Sequence, residues 1–488
     1  MTSPDLISLP WSLQLLAAIL LASGIFALCW SYFQLEAPSL PYPPGPPGKG
    51  FLSGNMSDIP TTKSWEIYAE WGKKYGEIVH LRIYSQHMVV LNSFEVAKDL
   101  LEKRSSVYSD RPQFSMIKLM NWDFNMGLKP YGDEWRIHRR LLQQSLRPLA
   151  SLTYRSIQTR KVNDMLYGIL TNPEDLSEHY KTFAAATIMS IVYGHDIAPK
   201  NDYFVTLSEA AVKRLSEAIF PGARAVNALP ILRYLPACFP GAGFKRYGRE
   251  TSELTHQMQE VPFDFVHKAM AAGNDSNSMV AKLITNQPDE TKQAIKEVAA
   301  TSYAAGADTT VSALGTFFYA MAMFPDVQQK AQHEIDAITG SDRLVNYDDR
   351  ESLPYVEALF REVLRWRPVL PLGVAHSTTV EDIYRGHYIP KGATVIANIW
   401  AISHDPKKFE KPEAFDPDRY FDDKGNLIAE EIYAFGFGRR VCVGRHLAAS
   451  TVWLAIAATL STFSIRKKKD AFGNEIPLDG KYTDRLIR

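Results

Sequence analysis

Of the three cysteines in the chain, Cys29, Cys238 and Cys442, one stands where packing gives no reason for a thiol. Cys442 lies in "FGFGRRVCVG", between a glycine-rich irregular stretch and the apolar run "RHLAASTVWLAIAATL". Backbone N–H groups and a helix N-terminus aimed at its sulfur would lower the thiol pKa and favour thiolate. A thiolate so placed can serve as a nucleophile, a zinc ligand or the axial ligand of a porphyrin iron. A nucleophile needs a base, and no Cys/His signature surrounds this cysteine. Zinc needs three more ligands at matching spacing, and the other two cysteines are too few and too distant.

"AAGADTT", Ala304 to Thr310, is the second stretch with chemistry in it. A glycine costing about 1 kcal/mol sits beside two β-branched threonines and a carboxylate, all inside an apolar stretch of helical period. Small residues let another body approach the backbone, and a threonine hydroxyl can capture a carbonyl of the previous turn. Two readings stand level: a ligand with proton delivery, or a glycine-mediated helix crossing with Asp308 capped by a neighbour. A third constellation is Glu362 and Arg365 in "REVLRWRP", three apart on one helix face that Pro368 then stops. Glu357 and Arg361 just upstream read as a solvated pair contributing about 0.3–0.5 kcal/mol. Arg419 in "FDPDRY" raises Glu362 and Arg365 above that level, because it can complete a buried, mutually satisfied charge cluster.

The elements that must position these residues are mostly helical. Helical character runs from Pro288 to Phe324, about 37 residues, against a mean helix length nearer 12. A helix that long should cross the whole domain. Short β-type runs occur at "IVHLRIY" and "HMVVLN", and again within "DIYRGHYIPKGATVIANIWA", where Tyr388 to Lys391 interrupt the alternation as a turn would. The fold class is therefore mainly α with a smaller β-rich part. With 488 residues, 46% of them hydrophobic and 22% charged, the chain can bury a large core in one domain or two. Lysine plus arginine equals aspartate plus glutamate, 54 against 54, so no global field selects nucleic acid. The scattered cysteines point to a reducing compartment.

No charged residue occurs between Asp5 and Glu36, and Trp11, Trp30 and Tyr32 edge the apolar run like interfacial anchors. The run is too long for a signal peptide and lacks a cleavage site. The expected organisation is a tail over residues 1–6, a transmembrane anchor over 7–33, a proline-rich hinge over 34–50 and one globular domain over 51–488. The prolines of "PYPPGPPGKG" make the hinge a stiff spacer.

These motifs together resemble those of the haem-thiolate monooxygenases known as cytochromes P450. The family's cysteine pattern F-x-x-G-x-R-x-C-x-G is met by Phe435, Gly438, Arg440, Cys442 and Gly444. Its A-G-x-D/E-T motif matches Ala305, Gly306, Asp308 and Thr309; its E-x-x-R pair is Glu362 and Arg365, with Arg419 later; and its W-x-x-x-R element is Trp135 and Arg139. All occur in the family's order, over nearly the whole chain. The resemblance implies the cytochrome P450 fold preceded by one N-terminal transmembrane helix. Cys442 would be the proximal iron ligand, shielded by Phe435, with Gly438 and Gly444 letting backbone approach the sulfur. Arg111, Trp135, Arg139, His376 and Arg440 would hold the haem propionates, and Asp308 with Thr309 would relay protons.

The implied activity is hydroxylation or other oxidation of a small hydrophobic substrate with O2. No flavin or dinucleotide fingerprint is present, so electrons would come from NADPH through a membrane-bound flavoprotein reductase, met by Arg136, Arg140, Arg439 and Arg445. Phe114, Met116, Met120, Trp122, Phe124 and Met126 stand where the family's loop covers the haem, and equally suit a core. The wider pattern, including "IPKGATVIANIWAISHDP", is similar to fungal members that oxidise secondary metabolites such as terpenoids. The implied location is the endoplasmic reticulum membrane, single-pass, with the catalytic domain facing the cytosol; sequons at Asn55 and Asn274 would be modified in the opposite orientation. Family members normally continue past the equivalent of "YTDRLIR" into a strand pair beside the substrate, so either the sequence stops short or that border of the pocket is altered. The rival reading is a membrane-anchored haem-binding protein without turnover, against which an intact Asp308 and Thr309 argue.

Overall fold

The computed structural model describes residues 19–20, 23–24, 40–50, 52–219, 225–274, 277–340, 342–482 and 487. Apart from 19–20 and 23–24, the expected anchor over 7–33 lies outside the described residues, as do the tail and residues 34–39 of the hinge. Among the described residues no helix is long and apolar enough to cross a membrane.

Chain contacts separate two compact units, residues 1–43 with 382–389, and residues 44–381 with 390–488. The strands are β1 (Ile78–Ile83), β2 (Gln86–Leu91), β3 (His376–Ser377), β4 (Asp382–Tyr384), β5 (His387–Ile389) and β6 (Thr394–Ala397). In the smaller unit β4 and β5 pair antiparallel, and Pro41 accepts a hydrogen bond from the Tyr388 N–H at 2.8 Å. The turn between them is Arg385-Gly386, both at positive φ (48° and 79°), the conformation that a two-residue hairpin requires. Tyr388 and Ile389 are thus strand, contrary to the sequence expectation. The turn signal was the Arg-Gly pair upstream, while Pro390 to Gly392 make a separate turn closed by the Ala393 N–H on the Pro390 carbonyl.

The larger unit holds a four-stranded sheet in the order β1-β2-β6-β3. β1 and β2 form a hairpin, β2 and β6 run parallel, and β3 closes antiparallel on β6. The proline-rich segment is docked here: Pro44 accepts from the His80 N–H at 3.0 Å, and Pro46 from Asn55 Nδ2 at 2.9 Å. Asn55 is buried and also bonds Asp58 and the Arg82 N–H, so folded protein does not present it for glycosylation, whereas Asn274 is exposed.

Seven helices of this unit bear on function: α1 (Asp133–Leu146), α2 (Leu176–Tyr193), α3 (Tyr203–Ile219), α4 (Gly243–Ala271), α5 (Lys292–Met323), α6 (Pro354–Trp366) and α7 (Arg445–Thr462). α5 is the anticipated long helix, entered through a short 3₁₀ turn at Asp289–Thr291. It buries residues on every side, from Ile295 to Met321, as an all-round apolar helix must. α7 does the same with small residues, Ala455, Ala457 and Ala458 among them, packing with Phe317, Met321, Val356 and Leu359 in one core cluster.

Candidate active site

Cys442 sits in the irregular stretch before α7, its N–H bonded to the Phe435 carbonyl at 2.9 Å. That bond closes a loop whose shape depends on glycine. Gly436 and Gly438 lie at φ 74° and 57°, and a Cβ on Gly438 would stand 1.9 Å from the Leu101 carbonyl oxygen. Leu101 belongs to a five-residue π-turn, Asp99–Lys103, that presses against this loop. Gly438 therefore makes room for Leu101 rather than for the sulfur, whereas a Cβ on Gly444 would stand at an ordinary 4.0 Å from Cys442 Sγ. Phe435 packs its ring on the core cluster around α6 and α7.

The thiol also departs from expectation. One side of Cys442 is open, yet protein encloses the rest, and burial pushes its pKa up. The Gly444 N–H, Arg139 and Arg445 pull the other way and do not prevail. The loop alone thus does not lower the thiol pKa, whereas a coordinated metal would.

Beside it lies a cage of positive charge. Arg139 on α1 donates Nη1 to the Val441 carbonyl at 2.7 Å. Arg440 donates to the carbonyls of Ser109, Met126 and Lys129 at 2.7, 3.1 and 2.9 Å, and its guanidinium lies 4.6 Å from the Trp135 ring centre. Arg111, buried, donates Nε to Gly127 and Nη1 to Val374 and Ala375. Burial and mutual repulsion hold these cations down: Arg440 to about 10, by burial first and with Arg139 adding, despite Asp110. Arg111 falls well below its ordinary value, again by burial first and then Arg440.

His376 on β3 is buried and neutral, its pKa depressed by burial, Arg111 and Arg440 against the pull of its Tyr108 bond. Its Nδ1 lies 2.8 Å from the Tyr108 carbonyl, so Nδ1 carries the proton and Nε2 is an acceptor. Only a carboxylate that raised its pKa would turn it into the donor expected from sequence.

The cage fits a group bearing two carboxylates. Trp135 Nε1 is buried with no partner among the described residues, and Arg139 and Arg111 have donor nitrogens beyond those committed to carbonyls. An anion would answer both the orphaned donors and the crowded cations. The residues present therefore suit a haem: Cys442 for the iron, and Arg111, Trp135, Arg139 and Arg440 for the propionates.

α5 supplies the opposite wall. Gly306 meets α2, where an added Cβ would reach Ile188 Cδ1 at 3.0 Å. Ala305, one residue earlier, is exposed in the middle of a buried helix, and with Ala304 and Thr309 it lines an apolar chamber of about 310 Å³. Phe114, Ile117, Trp122, Leu215 and Ile396 line it too, as does Arg111 of the cage. Of the other residues expected over the haem, Met116, Met120 and Phe124 are buried in the core cluster that also holds Trp122, and Met126 packs in the cluster around α1. The Thr309 hydroxyl donates to the Ala305 carbonyl at 2.7 Å, and the helix continues unbroken through it. Asp308 does not line the chamber; it stands near Glu209 of α3 and Tyr303, and burial pushes its carboxyl up.

Behind the site Glu362, fully buried, accepts from Arg365 at 2.7 and 2.8 Å, from Arg419 at 3.2 Å and from the Asp416 N–H at 2.9 Å. Arg365 and Arg419 also bond the carbonyls of Ser403, Glu410, Pro412 and Ala414. Glu357 is no solvated residue: Arg350 and Arg361 both hold it, and Arg361 reaches the Ile428 carbonyl. On the surface Arg136 and Arg439 flank Tyr131, at 5.2 and 5.6 Å from its ring centre. Arg140 and Arg445 line a separate cleft of about 390 Å³ with Arg139, Gln143, Arg147 and His446. The arginine-binding carbonyls and the Leu101 approach escaped sequence reasoning, since a backbone oxygen carries no residue signature.

A family model described as Cytochrome P450 matches residues 43–477. Cytochrome P450 monooxygenase COX1 of Coprinopsis cinerea is 39% identical over 469 residues, covering 93% of this chain and 90% of its own. Cytochrome P450 monooxygenase 208 of Postia placenta is 39% identical over 477 residues, 96% and 91% of the two chains. Cytochrome P450 monooxygenase claR of Ampulloclitocybe clavipes is 38% identical over 440 residues, 89% and 82%.

Proposed function

The chain belongs to the cytochrome P450 family, and from that premise we propose that this haem-thiolate monooxygenase oxidises a compact, neutral, hydrophobic secondary metabolite of the terpenoid type. The observation that carries the substrate class is the chamber. Its walls are mostly aliphatic and aromatic, with a minority of neutral polar side chains such as Gln86, Asn125 and Asn227, and its one charged lining residue is Arg111. That arginine is the one assigned to the haem carboxylates, so an ionised substrate would have to compete for it, whereas an apolar body of matching size gains from leaving water.

Bound haem supplies the oxygen chemistry; the protein's part is position, dryness and protons. Cys442 would hold the iron, Arg111, Arg139 and Arg440 would neutralise the haem carboxylates, and Trp135 Nε1 would donate to one of them. Thr309 faces the chamber with an oxygen able to accept a proton while its own hydrogen rests on Ala305. Asp308, its carboxyl pushed up by burial, lies one residue back, about 100° round the helix, and is the proton donor to this relay.

Electrons come from NADPH through a flavoprotein reductase that docks an acidic surface against Arg136, Arg140, Arg439 and Arg445. Residues 7–33 anchor the protein in the endoplasmic reticulum membrane, with residues 34–50 as hinge and the domain in the cytosol. Membranes containing the chain, reduced under carbon monoxide, are expected to show the thiolate-ligated haem spectrum. With reductase and NADPH they are expected to oxidise members of a terpenoid panel. The spectrum without any turnover on neutral apolar panels would favour a haem-binding protein instead, and glycosylation at Asn274 would reverse the orientation.

A further inference from the structure

The loop Met126 to Lys129 has two sides. Inwardly its carbonyls hold both interior arginines of the cage: Met126 and Lys129 accept from Arg440, and Gly127 accepts from Arg111 at 2.8 Å. Outwardly it is fastened to α5 at two points one helical turn apart. The Met126 N–H donates to Thr301 Oγ1 at 3.3 Å, and the buried Lys129 ammonium forms an ion pair with Glu297 at 3.6 Å while donating a hydrogen bond to Glu134 of α1 at 3.0 Å. Glu297 is itself held by His138 Nε2 at 3.0 Å and Gln293 Nε2 at 2.9 Å. The Nδ1 of buried His138 has no partner among the described residues, so its polar contact is the one that Nε2 makes with Glu297. His138 stands on α1 between Trp135 and Arg139. The same short loop therefore links α5, the wall of the chamber, to the arginines that face the haem carboxylates.

We infer that Glu297 and Thr301 are positioning residues that set Arg440 and Arg111 against the haem carboxylates by clamping the loop between them to α5. The inference rests on haem being held by this cage, which the spectrum of the unaltered protein reports independently.

The test uses Thr301→Val and Glu297→Gln in the haem-loaded full chain, reading haem transfer to an apo-globin acceptor and the reduction midpoint of the iron. Loss of the fastening is expected to speed haem transfer about fivefold in each variant, the ratio to which one net hydrogen bond or partly buried ion pair converts. It also leaves the haem carboxylates less compensated, which favours oxidised iron and lowers the midpoint. Thr301→Ser, which keeps the hydroxyl, is expected to restore both readings. The sign for Glu297→Gln separates the mechanisms, because deleting a nearby negative charge without moving the arginines would raise the midpoint. A raised midpoint there, or unchanged transfer and midpoint in Thr301→Val, overturns the inference. Should Thr301→Val retain no haem, retention by Thr301→Ser supports it and loss in both overturns it.

Discussion

Replacing Glu362 with glutamine changes one oxygen to an amide and leaves the shape nearly intact, so its effect isolates charge. In the folded chain that carboxylate receives four donors, two from Arg365 and one each from Arg419 and the Asp416 N–H. Glutamine keeps one acceptor and aims an N–H₂ at guanidinium groups that already have too many donors. Both arginine side chains are buried, 4% and 8% exposed, so their charge would be left without a counter-ion. Breaking a buried pair in this way costs about 3–5 kcal/mol, a large part of the roughly 5–15 kcal/mol that holds a domain folded. Urea unfolding of the haem-loaded protein, followed by haem absorbance and tryptophan fluorescence, should show the unfolding constant rising by roughly two to three and a half orders of magnitude. Replacing all three members with leucine would rescue an isolated ion pair. Here it should not, because the arginines also satisfy the carbonyls of Ser403, Glu410, Pro412 and Ala414. A loss below about 1 kcal/mol for Glu362→Gln would mean that the cluster behaves as an exposed pair does, and the reasoning would fail.

Gly436→Ala meets no atom within 4 Å and should cost only the strain of its positive φ, about 1–3 kcal/mol, with haem retained. Gly438→Ala drives a methyl into the Leu101 carbonyl and should abolish the haem spectrum; equal haem occupancy in the two variants would contradict this. Thr309→Ala should leave haem content unchanged while at least half of the NADPH consumed appears as hydrogen peroxide, measured by peroxidase coupling, since one proton-relay group contributes about 10²–10⁴-fold; unchanged coupling would remove Thr309 from the relay. His80, 2.9 Å from His87, is pushed down to about 3 by burial first, then by His87 and Arg82. The unfolded chain takes up this proton below its ordinary 6.5, so between there and about 3 His80 costs stability as pH falls, by about 1.4 kcal/mol per pH unit. His80→Leu should flatten the acid limb of a stability–pH curve by that slope, and an unaltered slope would show that His80 stays protonated in the fold.

How much of this was legible in the sequence follows from what each feature is made of. The charge cluster was legible because each member is a charged side chain with a conspicuous neighbour, Glu362 and Arg365 at helical spacing and Arg419 in a proline-punctuated segment. The long helix was legible because its period persists to Phe324 and Pro325 ends it. The β4–β5 turn was misplaced because proline at 390 outweighed an Arg-Gly pair whose positive φ values only the backbone reveals. The cysteine's titration was misjudged for a related reason. A glycine-rich stretch and a helix N-terminus are visible in the residues around the cysteine, but the burial that lifts its pKa is a property of the folded chain.

The "AAGADTT" stretch shows why two opposed readings of one motif can both hold. On a helix each residue turns about 100° from the last, so neighbours in sequence face different bodies. Gly306 serves the crossing with α2, and any side chain there would press on Ile188. Ala305 and Thr309, four apart, share the face that opens on the chamber, while Asp308 turns toward Glu209. The glycine therefore sets how closely α2 and α5 approach, and with it the depth of the chamber on the neighbouring face. Close packing on one side of α5 is thus the structural condition for the opening on the other. A substitution at Gly306 should alter substrate fit by displacing the helix, without any contact of its own with the substrate.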